Sequence, residues 1–179
     1  TKPADLIVVL ENLSNYTFKS DVNFISVVAG KKINLFEKKL IKINNFFRIM
    51  PNLPATIGES MSCIFPKKKV SQKNQNEVRK LFSYSGKTIF LKEENQIDMA
   101  TAISGSGPGF IFNTIDALEK AARKLGFSKD IAKILVYQTF QGSINLLLKN
   151  KLSAEGLVKT VATKGGTTEA GIKIMNENN

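Results

Sequence analysis

Residues 22–51, VNFISVVAGKKINLFEKKLIKINNFFRIMP, decide the fold class. Residues 22–29 are β-branched and mostly apolar, then stop at Gly30, which predicts a buried strand. Residues 32–40 (KINLFEKKL) carry a short helical pattern, and residues 45–50 (NFFRIM) predict a second strand ended by Pro51. Working outward, residues 4–13 place Leu6, Val9, Leu10 and Leu13 at helical spacing, with Pro3 where a first helical turn tolerates it. Residues 60–65 (SMSCIF) predict a strand closed by Pro66. Ser71 opens a polar helix to about residue 83 with Val78, Leu81 and Phe82 as its apolar stripe, and Gly86 turns the chain into a strand at 87–91. Such strand–helix alternation is the mark of an α/β layer.

After Glu93 and Glu94 the character changes and no strand pattern remains. Ile111, Ile115, Leu118, Ala122 and Leu125 form one face of a helix from about residue 108 to 125. Gly126 ends it, Ser128 caps the next, and Ile131, Leu135, Thr139, Gly142 and Leu146 line one side of that second helix to about residue 149. Both helices are apolar on more than one face, through Phe110, Phe112, Ile134, Val136, Leu147 and Leu148. A lone helical subdomain of this size cannot hide that surface, so the pattern predicts an oligomerisation domain; the competing reading is a monomeric bundle.

Composition sets the chemistry available. The 179 residues carry 26 Lys and Arg against 15 Asp and Glu, a net charge of +11, with one cysteine (Cys63) and no histidine. Zinc fingers, histidine catalysis, Cys–His nucleophiles and disulfide frameworks are excluded, and no metal site is expected. The scarcity of cysteine agrees with a reducing compartment. Only Arg48, Arg79 and Arg123 are arginines, and the longest basic run is Lys67–Lys68–Lys69. Readers of nucleic-acid sequence favour the arginine fork, so the scattered lysines point to small anions rather than to nucleic acid. No run reaches the ~20 apolar residues of a membrane span. The first residue is Thr1 with no signal pattern after it, and the chain reads as a piece of a longer protein.

Three segments could carry chemistry. Gly105-Ser106-Gly107-Pro108-Gly109 looks superficially like a dinucleotide loop, but no strand precedes it and Pro108 removes an amide that would face a phosphate. The pattern alone makes it a helix-to-helix turn. Residues 163–171 (TKGGTTEAG) set paired glycines before Thr167, a good helix cap, and free amides at such a start bind carboxylates. A well-capped turn without ligand is the equal alternative. Residues 50–55 (MPNLPA) put Asn52 after a strand, where α/β sheets bind ligands; standing alone they read as a Pro-rich connection.

Taken in order, Lys2-Pro3, SVVAG (26–30), RIMPNLPATIGESM (48–61), ISGSGPGFIF (103–112) and VATKGGTTEAGI (161–172) resemble the pyrroline-5-carboxylate reductase family, collinearly over nearly the whole chain. The resemblance implies an α/β, incomplete Rossmann-like NAD(P)-binding domain over residues 1–93, followed by an all-α dimerisation and substrate-binding domain over residues 94–179. It implies reduction of 1-pyrroline-5-carboxylate to L-proline with NADPH or NADH, and a homodimer able to build larger rings. It also implies a cytoplasmic setting with neither nucleic acid nor membrane as partner. By the same resemblance, the substrate carboxylate meets Thr163, Gly165, Gly166, Thr167 and Thr168, held by the amides of Gly166, Thr167 and Thr168. Thr168, as the catalytic residue, would hydrogen-bond the ring nitrogen. Ser104 and Ser106 would flank the substrate, and Lys2, Pro3, Ala29, Gly30 and Asn52 would line the cofactor.

Departures accompany the likeness. Ala162, Thr163 and Lys164 stand where the family commonly has Thr or Ser, Ser, and Pro; Leu53 and Gly109 also differ. No GxGxxG follows a strand anywhere in the 179 residues. Family members carry that pyrophosphate-binding turn before the Lys-Pro segment and continue into one more helix past the position of Asn179. The expectation is therefore weak or absent activity in these residues alone. The alternative is an inactive split-gene or decayed product that keeps only the oligomerisation module. A basic anion- or nucleic-acid-binding domain is a third reading, resting on charge alone.

Overall fold

Phe46 and Phe47 are consecutive in one extended strand, so their rings leave opposite faces of the sheet. Phe46 joins a cluster with Leu6, Leu10, Ile33, Phe36, Leu40 and Ile43. Phe47 joins another with Ile49, Ile64, Val70 and Val78. A sheet covered on both faces is the physical content of the α/β expectation.

The protein is seen in a computed structural model that describes residues 3–19 and 21–177. It comprises two units, Thr1–Phe112 and Asn113–Asn179. In the first unit a 3₁₀ turn (Pro3–Asp5) leads into α1 (Leu6–Ser14), β1 (Asn23–Ser26), α2 (Ile33–Glu37) and β2 (Asn45–Met50). A second 3₁₀ turn (Leu53–Ile57), β3 (Ser60–Pro66), α3 (Gln72–Ser83), β4 (Gly86–Phe90) and α4 (Asn95–Ala100) follow. The strands lie in the order β1-β2-β3-β4. β1 runs parallel to β2 and β3 parallel to β4, while β2 and β3 are antiparallel, with Ile49 opposite Ile64. The sheet is thus mixed, an orientation that hydrophobic period does not report.

β2 is buried at four successive positions, Phe46 to Ile49, as a central strand should be. β1 is shorter than the apolar run predicted, and only Ser26 in it is buried. Among the described strands it pairs with β2 alone, so an edge position leaves it half-covered. Leu6 and Leu10 of α1 and Ile33 and Phe36 of α2 bury against one sheet face; Val78 of α3 buries against the other. The Ser71 hydroxyl caps α3 by accepting the Asn74 amide at 3.2 Å.

The pattern at 105–109 does not make a turn between two helices. α4 passes through a π-helical segment (Thr101–Gly105) straight into α5 (Gly107–Lys124). The Ser106 amide reaches back five residues to the Thr101 carbonyl at 2.8 Å. α5 begins in the first unit and ends in the second, where α6 (Lys129–Lys149), α7 (Ala154–Val161) and α8 (Thr167–Glu177) follow. Ser128 caps α6 as its sequence predicts. Among the described residues of the second unit only Ala132 and Val136 are buried. The apolar faces predicted from period 3.6 are therefore left uncovered by the described residues: Leu125, Ile134 and Leu148 are 80%, 67% and 72% exposed. No helix among the described residues is long and apolar enough to cross a membrane.

Candidate functional site

β1 and β2 are parallel neighbours, so the segments that follow them leave the same end of the sheet. Ala29 and Gly30 follow β1, and Asn52 follows β2. This is the carboxyl end of a parallel pair, where α/β sheets take ligands. Ala29 and Gly30 are exposed, and nothing lies within 4 Å of where a Cβ on Gly30 would stand. A flat ring could approach that backbone. That open backbone leaves room for a ligand, and none of the described residues forms a glycine-rich turn for a pyrophosphate. Pro3 opens the first 3₁₀ turn. Lys2 lies outside the described residues.

Asn52 is held by hydrogen bonds within the chain. Its side-chain oxygen accepts the Met61 amide at 2.9 Å and the Ser60 hydroxyl at 3.2 Å. Its side-chain amide donates to the Ser104 carbonyl at 3.0 Å. The structure thus brings two of the expected site residues, Asn52 and Ser104, into direct contact. The Ser104 hydroxyl turns back to donate to the Ala100 carbonyl at 3.0 Å and lies 3.9 Å from Cys63 Sγ. Ser106 is exposed.

α4, which carries the chain into this segment, is held by a residue the sequence reading missed. Arg48 is buried in β2, and its guanidinium meets Asp98 at 2.5 and 3.3 Å, with Glu94 at 3.8 Å. Glu94 in turn accepts the Ile33 amide at 2.6 Å, at the start of α2. The hydrogen bond from Arg48 holds the Asp98 carboxyl below the usual aspartate value; partial desolvation opposes this, and the charges of Arg48 and Lys32 add to it. An Arg inside a strand that is otherwise Phe-Phe-x-Ile is the signal that could have revealed the clamp: a buried charge needs partners.

In the second unit, α7 ends at Val161 and the chain turns through residues 162–166 into α8. Gly165 has φ +76°, a left-handed conformation that a side chain would strain. A Cβ on Gly166 would stand 2.8 Å from Thr163 Oγ1 and 3.0 Å from the Thr163 carbonyl, so this turn is too tight for one. The glycine pair is thereby explained. Gly166, not Thr167, takes the capping position, its carbonyl accepting the Ala170 amide at 3.2 Å. Of the three amides expected to face a carboxylate, that of Gly166 donates to the Thr163 carbonyl at 3.0 Å. Those of Thr167 and Thr168 have no partner among the described residues. Glu169, unremarked in the sequence, reaches back and accepts the Gly165 amide at 2.7 Å. Thr163 and Thr167 are exposed and Thr168 half-buried. The turn opens on a wide, shallow depression of ≈ 690 Å³ lined by Gly165, Gly166, Glu169, Ala170, Ile172 and Lys173. Among the described residues no cluster of three Cys, Asp or Glu could hold a metal ion.

Comparison with known proteins agrees with this architecture. Residues 94–179 match a family model described as pyrroline-5-carboxylate reductase dimerisation. The chain is 34% identical over 176 residues to pyrroline-5-carboxylate reductase 2 of Bacillus subtilis, covering 98% of this chain and 62% of that one. It is 35% identical over 176 residues to pyrroline-5-carboxylate reductase of Aquifex aeolicus, covering 98% and 64%. The chain therefore spans less than two thirds of the length of these relatives. A crystal structure of Plasmodium falciparum pyrroline carboxylate reductase with NADP bound superposes with a TM-score of 0.91 at 30% identity, over 99% of this chain and 71% of that one. Sequence, fold and the collinear run of segments together make this chain a member of the pyrroline-5-carboxylate reductase family.

Proposed function

We propose that these residues form the substrate-binding and dimerisation part of a reductase that converts 1-pyrroline-5-carboxylate to L-proline with NADPH or NADH, acting as a homodimer in the cytoplasm. In this reading residues 1–93 belong to an NAD(P)-binding domain and residues 94–179 to the dimerisation and substrate domain. The observation that carries it is the turn at Gly165–Gly166, which leaves the Thr167 and Thr168 amides free at the head of α8. A small carboxylate fits two such donors, and the helix dipole favours its charge.

The substrate carboxylate accepts these two amides, which fixes the ring. The Thr168 hydroxyl then hydrogen-bonds the ring nitrogen as it becomes an amine, a role carried by the family resemblance. Thr163 and Thr167 supply further hydroxyls at the rim. Ala29, Gly30 and Asn52 would hold the nicotinamide end of the cofactor, with Lys2 and Pro3 beside it. When bound, that cofactor supplies the hydride to the C=N carbon. The chain's contribution is placement rather than acid–base chemistry, which suits a sequence without histidine.

Titration calorimetry of the 179-residue protein with L-proline and with pyrrolidine tests the site without any cofactor. Proline should release heat and pyrrolidine, which lacks the carboxylate, should not. Thr168→Val should weaken proline binding by about tenfold, the worth of one hydrogen bond left unmade. NADPH oxidation on adding pyrroline-5-carboxylate should be slow, since no GxGxxG lies within these residues. A folded dimer that binds neither compound overturns the assignment.

A further inference from the structure

The π-helical segment has a specific defect, and one side chain repairs it. In regular helix the Ser104 carbonyl would accept the amide four residues on, but that residue is Pro108, which has none. The amide one residue further, on Gly109, is already donated to the Ser106 carbonyl at 2.9 Å. Pro108 is buried, so water is a poor substitute there. The donor that arrives is the Asn52 side-chain amide, at 3.0 Å from the Ser104 oxygen. Asn52 is itself fixed from the other side, because its oxygen is pinned by the Met61 amide and the Ser60 hydroxyl on β3. An amide held by its oxygen presents its NH₂ in one direction only.

We propose that Asn52 is the positioning residue that locks the π-helical register of residues 101–105, standing in for the amide that Pro108 lacks. The lock ties the end of β2 and the start of β3 to the segment bearing Ser104 and Ser106, and so fixes where those two serines lie. This role differs from contact with a cofactor, and it is written in unit-one geometry alone.

A double-substitution cycle tests it. Asn52→Asp keeps the acceptor for Met61 and Ser60 but removes the donor; Pro108→Ala restores a backbone amide four residues beyond Ser104. With Pro108 in place, Asn52→Asp should raise the unfolding equilibrium constant about tenfold. In the Pro108→Ala background the same substitution should change that constant by about threefold or less, because Ser104 then has its own donor. Equal effects in both backgrounds overturn the lock, since direct ligand contact, added negative charge or the β3 links would not depend on residue 108. The cycle reads stability alone, so it does not rest on the proposed function. A wild-type protein blind to proline therefore sinks the function, while an uncoupled stability cycle sinks the lock. If Asn52→Asp does not fold, the through-hydrogen-bond scalar coupling from Asn52 Nδ2 to the Ser104 carbonyl carbon decides in the wild-type protein. Its presence supports the lock, and its absence in a spectrum that resolves backbone couplings of this kind overturns it.

Discussion

Arg48 and Asp98 illustrate how unevenly a charge pair shares its burial. The arginine side chain is 2% exposed and the aspartate 49%. Removing Asp98 leaves a buried guanidinium with Glu94 at 3.8 Å as its remaining carboxylate, and its Nε already lacks a partner among the described residues. Removing Arg48 leaves a carboxylate that water can reach. Asp98→Asn should therefore cost more stability than Arg48→Met, about 1–3 kcal/mol against ~1 kcal/mol or less. The pH dependence follows from the same bond. Arg48 lowers the Asp98 pKa in the folded protein, so the contribution is fully present above the ordinary aspartate value. It fades as pH falls through the lowered folded value. Urea titrations across pH 2–6 (an acid range set by ordinary carboxylate pKa values of roughly 4) should show a shallower acid slope for either variant than for the wild type. An unchanged slope would mean that Asp98 does not titrate against Arg48.

At the scale of elements, a helix start is only as firm as its cap. The Ser128 hydroxyl accepts the Ile131 amide at 3.3 Å ahead of the 21-residue α6. Ser128→Ala should cost about 1 kcal/mol in a urea titration, and Ser128→Asp should restore most of it, since Asp caps as well as Ser. A loss that Asp does not restore would assign the effect to packing. This cap was legible in the sequence because Ser after Gly126, before a periodic apolar run, is a local signal. The long elements were legible for the same reason: α3, α5 and α6 carry repeating stripes, and β2 and β3 are apolar runs closed by Pro51 and Pro66. α7 was not foreseen. It spans eight residues, with Ser153 accepting the Gly156 amide at 3.1 Å, and it buries no residue, so its period had little to report. The π-helical join was hidden for another reason. Glycines and a proline read as a break, whereas the long-range bond from Asn52 lets the helix continue across them. Gly165 and Gly166 announced a turn, yet the Glu169 carboxylate on the Gly165 amide depends on a side-chain rotamer that sequence does not encode.

The molecule as a whole presents a balance between apolar surface and charge. Leu125, Ile131, Ile134, Leu135, Ile144 and Leu148 on or beside α5 and α6 are each at least 46% exposed. An apolar groove of ≈ 330 Å³ also opens among Ile144, Leu147, Leu157, Val161, Thr168 and Ile172. Covering a large apolar side chain is worth roughly 1.5–3 kcal/mol, so a second copy laid on several of them gains a substantial sum. Against this stands repulsion, because a dimer carries twice the single chain's charge of +11. Salt screens that repulsion and leaves the apolar term intact. Sedimentation equilibrium should therefore show a dimer that tightens as sodium chloride is raised. Ile134→Glu and Leu148→Glu should each drive it to monomer at about 10 µM protein, since either buries an unpaired carboxylate in the joint. The opposite salt trend would show that ion pairs rather than apolar faces hold the subunits, and a glutamate variant that sediments unchanged would place the interface elsewhere on the molecule.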